Sequence, residues 1–361
     1  MTIPPKISQL CQGSDNNFNL IRIISAWGVL FAHSYVLVAQ KPNLIDPLQW
    51  YFGIGMGTFF VTVFFSISGF LIYRSLDRSQ SLTKYFWARS KRILPALSAV
   101  LLLTVFVLGP LTTQLNTTSY FTSKETWSYL LNINLLDIHT QFQLPGVFTH
   151  NPHPSSVNGS LWTLPVETWM YVMTAVAFCL GHLLNHYLRH SNKPIFTITL
   201  ISLGCVACIK AEHYLNTQQA DKYSMLLFAC TFIAGSLLYK LRHVTPISWL
   251  VSFILLSAIP LASDTIIFPL YFSFTLAYVV LTLAYLPKGP IRYYNRIGDY
   301  SYGLYIYAFP VQQTLVMSLP DISFMTMLLM STILSLLCAA LSWHYIESPI
   351  LYSRMKAKSD H

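Results

Sequence analysis

The chain has 361 residues, of which 54% are hydrophobic and only 10% are charged. Soluble domains carry roughly 25% charged residues, so a chain with a mean hydropathy of +0.50 is predicted to lie in a lipid bilayer instead of folding around one soluble core. The net charge of +9 comes from basic residues scattered between apolar runs, which argues against a nucleic-acid-binding face.

Ten apolar runs along the chain are each near the length needed to cross about 30 Å of hydrocarbon. They cover residues of about 18–38, 53–75, 93–111, 160–183, 194–211, 223–240, 246–263, 266–286, 300–318 and 322–345. The predicted fold class is therefore an all-α polytopic membrane protein with about ten transmembrane helices.

The basic residues between these runs predict how they are oriented. With a cytoplasmic N-terminus, seventeen Lys and Arg residues fall in cytoplasmic segments, and four fall outside, at Lys41, Lys124, Lys210 and Lys222. This distribution follows the positive-inside rule and places both termini in the cytoplasm. The long segment of about residues 112–159 then becomes an external loop, and loops of that length are usually functional.

Ionisable side chains inside a bilayer are costly and usually functional. Arg22 and His33 lie on the first span, eleven residues apart, which places them on one helix face about 16 Å apart along the axis. Glu167 lies near the outer end of the fourth span at a similar depth to His33, where a carboxylate would orient an imidazole acting as general base. The alternatives are a snorkelling arginine, a histidine satisfied by one hydrogen bond and a structural ion pair.

Three further segments contain candidate functional residues. Before the fourth span the chain reads Asn158-Gly-Ser-Leu-Trp-Thr-Leu-Pro-Val-Glu167, where Pro165 is predicted to disturb the helix and free backbone carbonyls. Ser66-Ile-Ser-Gly-Phe70 in the second span predicts either close helix packing or the wall of a channel for an acyl chain. The cytoplasmic loop after it contains Arg89-Ser-Lys-Arg92, a topology signal and a candidate phosphate-binding pair. No metal site is expected.

Six segments, taken in chain order, resemble the integral-membrane acyltransferase-3 family, whose members O-acylate bacterial cell-surface carbohydrates. They are Asn19-Leu-Ile-Arg22 through His33, Phe59-Phe-Val with Ser68-Gly-Phe70, Arg89-Ser-Lys-Arg92-Ile-Leu-Pro95, Asn158 through Glu167, Gly298-Asp-Tyr-Ser-Tyr-Gly-Leu-Tyr305, and Tyr345-Ile-Glu347-Ser-Pro349. The fourth segment is similar to the version in exopolysaccharide and nodulation-factor acetylases, a branch without a fused hydrolase-like domain. Asn19 departs from the pattern, because many members have Asp there.

The resemblance implies a cytoplasmic tail at 1–17, a membrane domain at 18–345 and a second cytoplasmic tail at 346–361, in a bacterial inner (cytoplasmic) membrane. It also implies transfer of an acyl group, commonly acetyl, from cytoplasmic acyl-CoA to a hydroxyl of a surface or lipid-linked carbohydrate. Acetyl-CoA or another acyl-CoA is then a co-substrate, and no tightly bound cofactor and no nucleic acid are expected. The acceptor, the acyl group and the oligomeric state stay open.

The resemblance also implies roles for particular residues. His33 is expected to act as general base or transient acyl carrier, with Glu167 orienting it and Arg22 on the donor side. The other expected site residues are Arg89, Arg92 and Ser68 for acyl-CoA binding, and Asn158, Ser160 and Trp162 on the acceptor side. The alternative function is a transporter or flippase for a carbohydrate or its lipid carrier, since intramembrane charges and broken helices are typical of transporters too.

Overall fold

The computed structural model describes residues 4–38, 46, 48–49, 54–154, 156–187, 220–263, 265 and 267–356. Within these ranges all elements are helical, apart from two isolated β-bridges, so the predicted all-α class is confirmed there. The long helices are α1 (Phe18–Leu37), α2 (Met56–Ser79), α3 (Leu82–Leu103), α4 (Thr163–Tyr187), α5 (Ala220–Lys240), α6 (Phe268–Tyr285), α7 (Ser301–Ser318) and α8 (Phe324–Ser342).

The remaining elements are short. The short α-helices are Ile7–Leu10, Gly109–Thr112, Thr117–Thr122, Lys124–Ser128, Trp249–Ser257, Ile259–Ala262, Tyr294–Ile297 and Ser348–Lys356. Single 3-10 turns occur at Tyr129–Ile133 and Pro290–Tyr293, and π-helical segments occur at Thr104–Leu108 and Trp343–Glu347.

Seven helices in the described ranges are long and apolar enough to cross a membrane, so the chain is a multi-pass membrane protein. They coincide with seven of the ten predicted spans. The predicted span at 194–211 lies outside the described residues. In place of the predicted span at 246–263 there are two short helices that meet at Ala258, and Pro260 lies in the first turn of the second one. The predicted count of ten is therefore not confirmed.

The ninth predicted span, 300–318, is present as helix α7. Its sequence includes Gln312, Gln313 and three tyrosines, which make it less apolar than the seven candidate spans. Thirteen of its 18 residues are nevertheless buried. Because polar side chains inside a membrane protein normally face protein partners, α7 is a helix of the protein interior.

Helix α3 starts earlier than the third predicted span. It begins at Leu82 and continues through the π-helical segment to Thr112, so Arg89 and Arg92 lie within a helix. The segment predicted to connect the second and third spans is therefore helical, and its cytoplasmic location stays a prediction. Pro95 lies inside α3 and does not end it, because a proline removes only one bond of the helical ladder.

The chain forms two compact units. Unit 1 consists of Met1–Ser25, Asp46–Leu82 and Trp169–Ile297, and unit 2 consists of Ala26–Ile45, Thr83–Thr168 and Gly298–His361. Helices α1 and α4 each contribute residues to both units.

In unit 1, α2 packs closely against α5 through two glycines. A Cβ atom on Gly69 would lie 2.0 Å from the carbonyl oxygen of Phe232, and one on Gly235 would lie 2.3 Å from the carbonyl oxygen of Ser66. The hydroxyl of Ser236 donates to the Gly69 carbonyl at 3.0 Å. Small residues at a helix interface allow two backbones to approach. Close helix packing therefore accounts for the glycine of the Ser-Gly-Phe segment.

In unit 2, the predicted external loop packs against the end of α3. Within the π-helical segment the Gly109 amide donates to the Thr104 carbonyl, and the next carbonyl, of Val105, would need the amide of Pro110, which has no N–H. The hydroxyl of Tyr120 donates to Val105 instead, at 3.0 Å. Tyr120 is fully buried, and burial raises its pKa to about 12. A side chain of the loop thus satisfies a carbonyl of the helix.

The glycine contact in unit 1 predicts a specific sensitivity to a single methyl group. Gly235→Ala should lower the free energy of unfolding by about 1–3 kcal/mol, because the new Cβ meets backbone atoms that cannot rotate away. Thermal unfolding in detergent measures this. The matched control is Gly55→Ala, where the added Cβ makes only a 3.8 Å contact with Asp46. Equal stability of the two variants would contradict the packing assignment.

Candidate functional site

Helix α7 organises the candidate site of unit 2 through its internal proline. Pro310 has no N–H, so the carbonyl of Ile306 has no donor within the helix. The side-chain amide of Asn158 donates to that carbonyl at 2.9 Å, and its oxygen accepts from the Ser160 amide at 3.1 Å. Since a carbonyl at membrane depth must be satisfied by protein or by water in a cavity, Asn158 holds the segment before α4 against α7.

Phe309, the residue before that proline, lies between two histidines. Its ring meets the His33 imidazole edge-on with centroids 5.0 Å apart, and it meets the His153 imidazole at 6.2 Å. A Cβ atom on Gly159 would lie 2.6 Å from the same ring, so only glycine fits there without displacing it. The Asn-Gly-Ser segment, the first span and the external loop therefore meet around one phenylalanine.

Two fully buried glutamines follow Phe309 on α7. The side chain of Gln312 donates to the Leu30 carbonyl at 2.8 Å and to the Ser34 hydroxyl at 2.7 Å. These residues belong to the part of α1 that carries His33, and Gln313 binds the external loop in a similar way. The sequence analysis missed both glutamines, although two adjacent amides in an apolar run are a costly feature that signals a role.

The imidazole of His33 has an unsatisfied nitrogen. Its Nδ1 is buried and has no hydrogen-bond partner within the described ranges, and the same holds for the hydroxyl of Ser160. Nearly all buried polar atoms in proteins are hydrogen-bonded, and an exception calls for an explanation such as a catalytic role. The predicted base and one predicted acceptor-side residue therefore both have hydrogen-bonding capacity to offer a substrate.

Helix α4 begins at Thr163, immediately after the partly buried Trp162. Pro165 lies in its first turn, where a missing N–H costs no helical bond, so the predicted disturbance is not found there and occurs in α7 instead. The Thr163 hydroxyl lies 2.7 Å from the Tyr305 hydroxyl, and Glu167, one turn further along, interacts electrostatically with Tyr305. Glu167 thus faces the tyrosines of α7.

Arg92 forms an ion-pair cluster inside unit 2. Its guanidinium lies 2.6 Å from the Asp299 carboxylate and 3.7 Å from that of Glu347. Both carboxylates are buried, and the Ser342 hydroxyl donates to Glu347 at 3.0 Å. In contrast, the buried Nε of Arg89 has no hydrogen-bond partner among the residues described. The two arginines of the segment therefore differ: Arg92 holds buried carboxylates and Arg89 keeps an unused donor.

Unit 1 contains a cavity of about 910 Å³ with a marked excess of positive charge. Its charged lining residues are Arg22, Arg74, Lys288, Arg292, Arg296 and the single acid Asp15. The Arg292 guanidinium pairs with Asp15 and also donates to the Tyr285 carbonyl at 2.7 Å, while Arg74 donates to the Gly13 carbonyl at 3.0 Å. Because guanidinium and ammonium groups bind phosphate oxygens, the cavity suits a ligand with several phosphates.

The predicted donor-side residues belong to both compact units. Arg22 and Asn19 line the cavity of unit 1, where the sequence analysis gave the other basic residues no role beyond topology. Ser68 belongs to unit 1 as well and is buried beside the close helix contact. Arg89 and Arg92 belong to unit 2. The basic residues at 288–296 were not predicted as site residues, because membrane topology already accounts for basic residues next to the end of a span.

The fold and the site define a multi-pass membrane protein with an unsatisfied histidine among its helices. Residues 15–344 match the family model described as an acyltransferase domain. The chain therefore belongs to the acyltransferase-3 family and is an acyltransferase, which confirms the resemblance found in the sequence.

Two relatives share nearly the whole length of the chain. It is 29% identical over 350 residues to an O-acetyl transferase of Shigella phage Sf6, covering 93% of this chain and 96% of the relative. It is also 29% identical over 374 residues to Nodulation protein 10 of Rhizobium leguminosarum bv. viciae, covering 95% of each. No solved structure matches the chain significantly.

The ion-pair cluster predicts a large stability effect. Arg92→Met should lower the free energy of unfolding by about 3–5 kcal/mol, because two buried carboxylates lose their compensating charge. Adding Asp299→Asn to that variant should recover part of the loss. Thermal unfolding in detergent checks both, with Lys84→Met as a control for losing an exposed charge on the same helix. An Arg92→Met protein as stable as the control would rule the cluster out as a stabilising feature.

Proposed function

We propose that this acyltransferase moves an acetyl group from acetyl-CoA, on the cytoplasmic side of a bacterial inner membrane, to a hydroxyl of a surface or lipid-linked carbohydrate. The printed name of the phage relative, an O-acetyl transferase, supports acetyl as the group and oxygen as the accepting atom. Family membership favours transfer over the alternative of transport. The observation that carries the proposal is the imidazole of His33, whose buried Nδ1 has no hydrogen-bond partner among the described residues.

The cavity of unit 1 supplies the donor end of this reaction. Coenzyme A carries a pyrophosphate and a ribose phosphate, and the five basic residues of the cavity outnumber its single acid. Arg22 provides bidentate hydrogen bonds to such groups, and Lys288 provides a point charge. Arg89, with its unused donor, and Ser68 are further donor-side residues in this proposal, whereas Arg92 supports the site through its carboxylate partners.

His33 performs the chemistry in this proposal. Acting as base, its imidazole takes the proton of the acceptor hydroxyl while that oxygen attacks the thioester carbonyl, and the C–S bond breaks to release the CoA thiolate, which is then protonated. Acting as carrier, the imidazole attacks the carbonyl first, and the C–S bond breaks to release the CoA thiolate. The acceptor hydroxyl then attacks the acyl-imidazole, the C–N bond breaks, and the proton of the hydroxyl passes to the imidazole. In this proposal Glu167 orients the His33 imidazole, and Asn158, Ser160 and Trp162 are the acceptor-side residues.

The proposed role of His33 predicts loss of transfer without loss of folding. His33→Ala should lower the rate of label transfer from radiolabelled acetyl-CoA to polysaccharide by about 100- to 10,000-fold, the usual contribution of a general base. The acceptor is polysaccharide purified from cells that lack the protein. The melting temperature of the variant in detergent provides the folding control. Transfer at the wild-type rate by the purified variant would contradict the proposed role of His33.

The donor cavity predicts an effect that depends on phosphate. Lys288→Ala should raise the KM for acetyl-CoA by about fivefold, as expected for one exposed charge pair of about 1 kcal/mol. The KM for S-acetylpantetheine, which has no phosphate, should not change. Lys240→Ala removes the same charge outside the cavity and is the matched control. Equal effects of Lys288→Ala on both donors would contradict phosphate binding there.

A further inference from the structure

His153 is a second histidine of unit 2 and lies in the predicted external loop of residues 112–159. Its imidazole is exposed, and it meets the Phe309 ring whose centroid lies 5.0 Å from that of His33. The exposed imidazole of His153 and the imidazole of His33 therefore contact the same phenylalanine ring.

The backbone of His153 is held by a buried side chain. The Gln313 amide donates to the His153 carbonyl at 2.8 Å and to the Ser156 carbonyl at 2.6 Å. Its oxygen accepts from the Asn151 side chain at 2.9 Å. Gln313 is fully buried, and burying an amide is favourable only when its hydrogen bonds are made. Gln313, one helical turn after Phe309, thus anchors the segment that contains His153 to α7.

The sequence around His153 stiffens the same segment. The chain reads Asn151-Pro-His-Pro-Ser155, so prolines flank the histidine on both sides. A proline fixes its own φ angle and restricts the residue before it to extended conformations. A loop residue with a restricted backbone and a buried anchor is positioned in advance, which is what a binding residue requires.

The other histidines of the loop lack these features. His139 is exposed and pairs with Asp137 at 2.9 Å, and His150 is exposed. Neither shows a ring contact to Phe309 like that of His153. The combination of an exposed imidazole, an anchored backbone and contact with the ring beside His33 singles out His153 among them.

We propose that His153 binds the acceptor carbohydrate and positions its reacting hydroxyl toward His33. This inference rests on the proposed acetyl transfer. A neutral imidazole has one hydrogen-bond donor and one acceptor. It can therefore donate a hydrogen bond to a second hydroxyl of a sugar or accept one from it. Gln313 acts through His153 as a positioning residue. The acceptor class is a polyhydroxylated molecule that approaches from the side of the external loop.

Steady-state kinetics with three substrates test this role on the full-length protein. The donor is acetyl-CoA, the acceptor is polysaccharide from cells that lack the protein, and hydroxylamine serves as a small nucleophile that needs no positioning. His153→Ala leaves the carbonyl bound by Gln313 in place, so the anchor is retained. The variant should raise the KM for polysaccharide by about tenfold, equivalent to about 1.4 kcal/mol, and leave transfer to hydroxylamine and the KM for acetyl-CoA unchanged.

Two control variants make the result specific. His150→Ala should behave as the wild type, and His153→Gln, which keeps a donor and an acceptor, should recover part of the loss. An unchanged KM for polysaccharide in His153→Ala would overturn the proposal, and so would an equal loss of transfer to hydroxylamine. Failure of the proposed function is a separate result, because it requires that His33→Ala retain transfer to both nucleophiles.

Discussion

The architecture of unit 2 depends on one constraint: a backbone carbonyl inside a membrane protein must find a donor. Prolines in α7 and at the end of α3 leave the carbonyls of Ile306 and Val105 without one. Asn158 and Tyr120, both in the segment between α3 and α4, supply the two donors. The long loop is therefore bound to the helices at the two carbonyls that the prolines leave without a helical donor. Its position relative to α7 in turn places Gly159 and His153 against the Phe309 ring.

The costly residues of α1 could be predicted from the sequence, and their surroundings could not. An ionisable side chain in an apolar run stands out by composition alone, which is how Arg22 and His33 were found. Asn158, which donates to the Ile306 carbonyl, lies 148 residues away along the chain, and no local sequence pattern predicts such a pair. The sequence likewise could not show whether Pro165 or Pro310 leaves a helix carbonyl without a donor. Both are prolines in predicted spans, and only their distance from the helix start decides which one frees a carbonyl.

The basic residues show how one feature can have two causes. Lys and Arg near span ends are required for topology, so the sequence alone could not separate Arg92, which pairs with buried carboxylates, from Lys288, which lines an open cavity. In the folded protein Arg92 lies against two carboxylates, whereas Lys288 lines the cavity of unit 1. In the proposed reaction, the donor side is the set of basic residues that line the cavity, and the residue that performs the chemistry is His33, whose Nδ1 has no hydrogen-bond partner among the described residues.

The most direct test of this division of labour is a cryo-EM structure of the protein bound to S-acetonyl-CoA, a thioether analogue of acetyl-CoA that cannot transfer its acyl group. The ketone carbon should lie about 3–3.5 Å from the His33 imidazole, the separation of a reactive complex. A ketone carbon remote from His33 would contradict the proposal that His33 performs the chemistry.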